Sequence, residues 1–338
     1  MKTNYDNSIL KTKHLLILFG LLLTLSGCNQ QGGATVNGNP VKRLHLVFVG
    51  RTPDDYWSFV RLGCDYAVHQ LGDVDLDFRF PAERTAAAQQ DLLQKLAQAG
   101  LDGIAVSPLE ADNETDFLNT IAAQTLLVCA DSDAEKSRRA CYIGTDNLAA
   151  GKQAAELLKT ALPQGGKIIL FVGYANAQNT KERLAGIQDA LAGSNIQIVD
   201  TLADGAEITV AQKNAQEAMA KYPDLAGMVG IYGYHGPAIL TAVRAAAKAG
   251  QFRIVCFDGS NETLDGIASG DIYGTVAQKP LEIGWQTIYR MVKYLRGDKS
   301  ELAGGKILIK TQTITKDSVV QYQAMRKSLL ARPPNEHP

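Results

Sequence analysis

Short apolar runs and segments of helical period alternate along nearly the whole chain. Residues 44–50 form an apolar run that breaks into a polar stretch at 51–57. Beyond it, Phe59, Val60, Cys64, Ala67 and Val68 keep a 3.6-residue spacing until Gly72, which predicts a helix over 57–70. Residues 74–80 alternate as a strand does. The stretch 85–99 reads as a helix stopped by Gly100, 102–106 as a strand tipped by Ser107 and Pro108, and 113–124 as a helix. Residues 126–130 are apolar throughout, as in a strand buried on both faces, and end in Asp131-Ser132-Asp133. After a second apolar piece at 141–143 the order restarts: helix 147–162, strand 167–173, helix 181–191, strand 196–201, helix 209–222, strand 228–232, helix 237–249, strand 253–257 and Asp258-Gly259.

Such alternation predicts parallel sheets covered by helices on both faces, an α/β protein. Because the halves share one order of elements, we expect two similar doubly wound lobes. The tail adds a short strand at 275–280, a long helix at 281–295 and a last strand at 307–314. Connections near 147, near 278 and over 299–306 then form a three-segment hinge around a shared cleft. The N-terminal lobe is expected to hold 41–146 and 278–303. The C-terminal lobe is expected to hold 147–277 and 304–326, leaving 327–338 as a disordered tail. Polar clusters at strand tips, such as Asp131-Ser132-Asp133, sit where open α/β sheets bind small ligands.

The amino end changes the picture. Lys2, Lys11 and Lys13 precede an apolar run at 15–25 and then Leu25-Ser26-Gly27-Cys28. A basic segment, an apolar core of this length and small residues after it make a secretory signal, too short for a comfortable membrane span. The tetrapeptide resembles a bacterial lipobox, which implies acylation of Cys28, a mature chain starting there and anchoring in a membrane. The Gly-, Asn- and Gln-rich residues 29–40 read as a flexible tether. In that compartment disulfides are possible, yet Cys64, Cys129, Cys141 and Cys256 have no metal-ligand spacing, and Cys129 and Cys256 lie in apolar runs. We expect them to pack as small hydrophobes, with no Cys129–Cys141 bridge. Of 338 residues 46% are hydrophobic and 20% charged, and 34 basic against 35 acidic side chains leave a net charge of −1. That balance excludes an electrostatic case for nucleic acid.

At Tyr142-Ile-Gly-Thr-Asp-Asn147, Arg183-Leu-Ala-Gly-Ile187, Cys256-Phe-Asp-Gly259 and Thr275-Val-Ala-Gln-Lys-Pro280 with Ile283-Gly284, the chain resembles the periplasmic sugar-binding proteins of the ribose-binding type. These share the type I periplasmic binding fold with the ligand-sensing core of lac-repressor-type regulators. The likeness covers roughly 42–325, and four weak motifs in family order are together specific. Asp131-Ser-Asp-Ala134 with Arg138 and Tyr142 looks like a less characterised subgroup.

The resemblance implies a site for a hydroxyl-rich ligand. Tyr56 and Trp57 align with the family's paired aromatics that stack on the sugar ring, although either could instead pack in the core. Asp54 falls where the family often has a ligand-contacting Asn, or else is a solvated loop residue, and Arg51 could also reach in. Asp131 aligns with the hydroxyl-binding Asp. Ser132 replaces an Arg and Ser107 an Asn of ribose binders, departures that argue against carrying over ribose specificity. Arg183 aligns with the family's forked Arg, Asp258 with a strand-tip Asp, and Gln278 with an amide on the hinge. His235 falls where a ligand-binding Asn is usual, with helix capping as its other reading, and Tyr232 or Tyr234 could add ring contacts. No hydrolase, nucleotide or metalloprotease motif is present, so an enzyme is not expected, nor any cofactor or metal. A regulator would need a DNA-binding motif where the signal stands. The expected function is a monomeric, lipid-anchored extracytoplasmic binding protein that delivers a monosaccharide or small polyol to the permease of an ABC importer. A binding lipoprotein that signals to a membrane kinase or chemoreceptor is the alternative.

Overall fold

The computed structural model describes residues 42–331 and two short paired strands, β1 (Thr35–Val36) and β2 (Asn39–Pro40). The expected signal, Cys28 and residues 332–338 lie outside the described residues.

The first lobe runs β3 (Leu44–Val49), α1 (Asp55–Leu71), β4 (Val74–Arg79), α2 (Ala86–Gln98), β5 (Gly103–Val106), α3 (Thr115–Ala122), β6 (Leu126–Ala130) and β7 (Cys141–Thr145). The second runs α4 (Asn147–Ala161), β8 (Gly166–Val172), α5 (Gln178–Leu191), β9 (Ile196–Ala203), α6 (Ile208–Lys221), β10 (Leu225–Gly230), α7 (His235–Ala245), β11 (Arg253–Phe257), α8 (Asn261–Ser269) and β12 (Gly274–Ala277). The chain then returns through α9 (Pro280–Leu295) and a 3-10 turn, Lys299–Leu302, to β13 (Lys306–Ile309), β14 (Gln312–Thr315) and α10 (Val319–Ala331).

Both lobes have the same strand order, β13-β7-β6-β5-β3-β4 in one and β14-β12-β11-β10-β8-β9 in the other. All neighbours are parallel except β14, which runs antiparallel to β12. Each strand feeds two cores because side chains alternate across a sheet. In β3, Leu46 and Phe48 pack into one buried cluster while Val47 and Val49 pack into the other. In β8, Ile169 and Phe171 part from Ile168 and Leu170 in the same way. Fully burying each such side chain is worth roughly 1.5–3 kcal/mol.

The crossings differ from expectation at one point. The expected strand over 307–314 is two strands, β13 in the first sheet and β14 in the second, so the third crossing lies at Lys310 and Thr311 rather than over 299–306. One strand cannot ladder onto two separate sheets, and Ile309 is buried in the first lobe while Ile314 is buried in the second. The tail boundary also moves, because α10 continues to Ala331. The helix is held by Arg326, which donates to Asp55 Oδ2 across the lobes at 2.7 Å.

Two glycine pairs set helices at backbone contact. A Cβ on Gly63 would fall 1.9 Å from Leu281 O, and one on Gly284 1.9 Å from Val60 O, so α9 lies directly on α1. In the second lobe a Cβ on Gly151 would meet Arg183 O at 2.2 Å, and one on Gly186 would meet Leu148 O at 2.2 Å.

Candidate functional site

The strand tips of the two sheets face a shared cavity of about 390 Å³, within the roughly 300–1,000 Å³ usual for small-molecule pockets. Two aspartates stand at matching positions. Asp131 follows β6 and Asp258 follows β11, each the fourth strand of its lobe in chain order, with φ of 66° and 63°. Among residues with a Cβ, Asp tolerates this left-handed region better than most. Each donates its N–H to the neighbouring strand, Asp131 to Ile143 O at 3.2 Å and Asp258 to Val276 O at 3.0 Å.

On the first-lobe wall, Asp54 caps α1 by accepting from Trp57 N at 3.0 Å, which starts the helix just past the strand tip. The helix thereby delivers Tyr56 and Trp57 to the cavity. Tyr56 donates its hydroxyl to Asp131 Oδ1 at 2.8 Å, and its ring meets Trp57 edge-on at 5.3 Å. Burial and the Asp131 charge push the Tyr56 phenol well above its ordinary range, so it stays a donor. Ser107 donates to Asp131 Oδ2 at 2.7 Å.

The second-lobe wall carries Arg183, which is 1% exposed and lies over the Phe257 ring at 4.5 Å. Its Nε donates to Asn147 Oδ1 at 3.0 Å and its Nη1 to Ile231 O at 2.6 Å, while Nη2 has no partner. Gln278, on the second crossing, donates from Nε2 to both Asp258 oxygens at 3.0 and 3.2 Å. Its carbonyl accepts from Thr145 Oγ1 at 2.7 Å. Burial raises the Asp258 carboxyl to about 6, against the opposing pull of Arg183 and the Gln278 amide.

Of the ten expected contacts, Asp54, Tyr56, Trp57, Asp131, Arg183, Asp258 and Gln278 line the cavity. Ser107, Ser132 and His235 do not. Ser107 stands behind Asp131 as a relay, and the buried Ser132 hydroxyl has no hydrogen-bond partner. The ligand contact expected of His235 is corrected. The ring is 0% exposed, its Nδ1 accepts from Tyr232 N at 2.9 Å, and its Nε2 meets Asp204 Oδ2 at 2.7 Å. Since Nδ1 accepts, Nε2 carries the proton, and burial lowers the imidazole's pKa. Asp204 also accepts from the Tyr234 hydroxyl and from Ala206 N at 3.0 Å, so His235 braces the loop that bears Tyr232 and Tyr234. Both tyrosines line the cavity, as do Tyr174, Asn179, Tyr322 and Arg326, which sequence reasoning passed over. Tyr174 and Asn179 follow β8 as 51–57 follow β3, a signal readable from the repeated order of elements.

All four described cysteines are free and buried, and burial pushes the Cys256 thiol up to about 12. Among the described residues no group of three or more His, Cys, Asp or Glu could hold a metal ion, and no helix is long and apolar enough to cross a membrane.

Two doubly wound lobes, three crossings and a cavity between matching strand tips define a type I periplasmic binding fold. Residues 46–299 match the periplasmic binding protein domain family, and the chain belongs to it. Its relatives are binding proteins, not enzymes. The ribose import binding protein RbsB of Salmonella typhimurium is 24% identical over 274 residues, 79% of this chain and 90% of its own length. The D-allose-binding periplasmic protein of Escherichia coli is 25% identical over 259 residues, 73% of this chain and 83% of its own. GanP, a glucose-galactose binding protein from Geobacillus stearothermophilus, superposes with a TM-score of 0.78 at 27% identity, over 82% of this chain and 99% of its own. A solute-binding protein from Burkholderia graminis, in complex with D-arabinose, gives 0.78 at 25% identity, over 84% and 99%.

Proposed function

We propose that the protein captures a monosaccharide or small polyol between its lobes and, held to a membrane through acylated Cys28, presents it to the permease of an ABC importer. The observation that carries this reading is the opposition of Asp131, held by Tyr56 beside Trp57, to Asp258, Gln278 and the unpartnered Nη2 of Arg183. Carboxylates and a guanidinium recognise hydroxyls, aromatic rings cover apolar ring faces, and buried polar groups left unpaired reject the wrong ligand. The relatives named for ribose, allose and glucose-galactose binding, with the one in complex with D-arabinose, support a sugar, and the word import in the ribose protein's name favours transport over signalling.

Thermal shift and calorimetry on the chain without its signal, against aldoses and polyols, test the reading, since a ligand raises the melting temperature by mass action. Arg183→Ala and Asp258→Ala should each weaken binding about ten- to hundredfold, the loss of one or two charge-assisted hydrogen bonds. If no sugar or polyol binds, or both variants bind as the parent does, the reading falls. For the anchor, Cys28→Ala should move the protein from the membrane fraction to the soluble one. Retention in the membrane fraction would refute lipid attachment at that residue.

A further inference from the structure

One further arginine of the cleft, Arg51, has a position set by topology. In each lobe the strand order reverses between its first and third strands, β3 and β5 in one and β8 and β10 in the other. Such a reversal opens a crevice at the strand tips. Arg51 and Ser107 emerge at the first reversal, Tyr174 and Tyr232 just beyond the second, and the two crevices face one another.

Arg51 is 6% exposed and its donors are taken up by protein. Nε donates to Ser107 Oγ at 2.9 Å and Nη2 to Pro108 O at 2.9 Å, both within its own lobe. Nη1 donates to the Tyr232 hydroxyl of the opposite lobe at 3.2 Å, and the guanidinium carbon lies 5.6 Å from the Tyr174 ring centre. Tyr232 is held in turn by its own lobe, its hydroxyl 2.9 Å from Thr180 Oγ1 and 3.4 Å from Asn179 Oδ1. Parting the lobes breaks the Tyr232 and Tyr174 contacts but leaves the Ser107 and Pro108 bonds in place. Arg51 is therefore set before closure. Through Ser107 it also orients Asp131, whose Oδ2 lies 3.9 Å from Arg51 Nε.

Other charged contacts span the cleft: Arg326 to Asp55 at 2.7 Å, with the Asp55 side chain 48% exposed, and two more at the rim. Lys181 meets Asp112 at 2.7 Å and Arg84 meets Glu207 at 3.5 Å, but their side chains are 39–57% exposed. Exposed pairs of this kind are screened and worth little. A charged hydrogen bond from a buried guanidinium is worth more.

We propose that Arg51 is a cross-cleft positioning residue, and that its bond to Tyr232 sets how long the closed protein retains a ligand that Arg51 need not touch. This rests on the solute-binding reading above, and the experiment separates the two. The probe is whichever of D-ribose, D-allose, D-arabinose, D-glucose and D-galactose gives the largest thermal shift, followed by stopped-flow binding. Tyr232→Phe keeps the ring and removes the bond. It should raise koff about tenfold, as expected for one charge-assisted hydrogen bond, with kon within about twofold of the parent because the encounter precedes closure. Asp112→Ala, which removes a rim pair, should leave koff unchanged. An unchanged koff in Tyr232→Phe, or an equal rise in Asp112→Ala, overturns the assignment. Spin labels at exposed Lys95 and Lys213, one per lobe, supply a ligand-free readout in which Tyr232→Phe should shrink the short-distance population. Should neither these five sugars nor any further aldose or polyol of the screen above bind the parent, the solute-binding reading fails. The label distances then decide, and an undiminished short-distance population in Tyr232→Phe overturns the inference.

Discussion

Asp258 carries a cost that its position explains. A carboxyl ordinarily near 3.8 is lifted to about 6 because the folded chain buries it. Whatever stability it contributes to the empty protein is complete below about pH 4 and fades as pH climbs through 6. Ligand hydroxyls donate to the ionised form, so affinity should strengthen over the same interval. Asp258→Asn should therefore melt higher than the parent at pH 8, by up to about 3 kcal/mol of stability. At pH 5 about half of that difference should remain, closing only below about pH 4, and the variant's weaker sugar affinity should be flat with pH. Melting curves and titrations at the two pH values check this, and a variant no more stable at pH 8 would show that the carboxyl is not strained by burial. Asp258 and Asp131 were readable in the sequence because each ends an apolar run. His235 misled because alignment gives a position along the chain and not the direction of a ring. Its partner Asp204 lies 31 residues away, and only the fold brings the two together.

At the scale of elements, the glycine contacts decide how far a functional side chain reaches. Gly151 in α4 rests against the carbonyl of Arg183 in α5, so the distance between these helices fixes where the guanidinium ends. Gly151→Ala must push α5 outward. It should destabilise the protein by roughly 1–3 kcal/mol, the usual cost of overpacking, and weaken sugar binding beyond what stability explains. Calorimetry on the folded variant tests this, and unaltered affinity would mean that α5 shifts without carrying Arg183. Most helices and strands were legible from apolar period, whereas α8 and α10 were not read from it. The division of β13 from β14 was not, because residues 306–315 keep a strand-like composition throughout and only the separate burial of Ile309 and Ile314 marks the break.

Taken whole, the molecule is two copies of one topology joined where Asp146, Gln278-Lys279 and Lys310-Thr311 pass between sheets. Thr145, at the first crossing, bonds Gln278 at the second, which in turn holds Asp258, so the hinge and the ligand site share a hydrogen-bond chain. The duplicated order was legible because it repeats in the pattern of apolar runs. The cross-lobe contacts of Arg51 and Arg326 were not, since they join residues 181 and 271 positions apart.

The outermost strand of each sheet comes from the far end of the chain. Until Ile309 has left the ribosome, the first sheet lacks β13 and β7 keeps a bare edge, even though β3 to β7 were synthesised long before. A nascent polypeptide built this way cannot complete either half early.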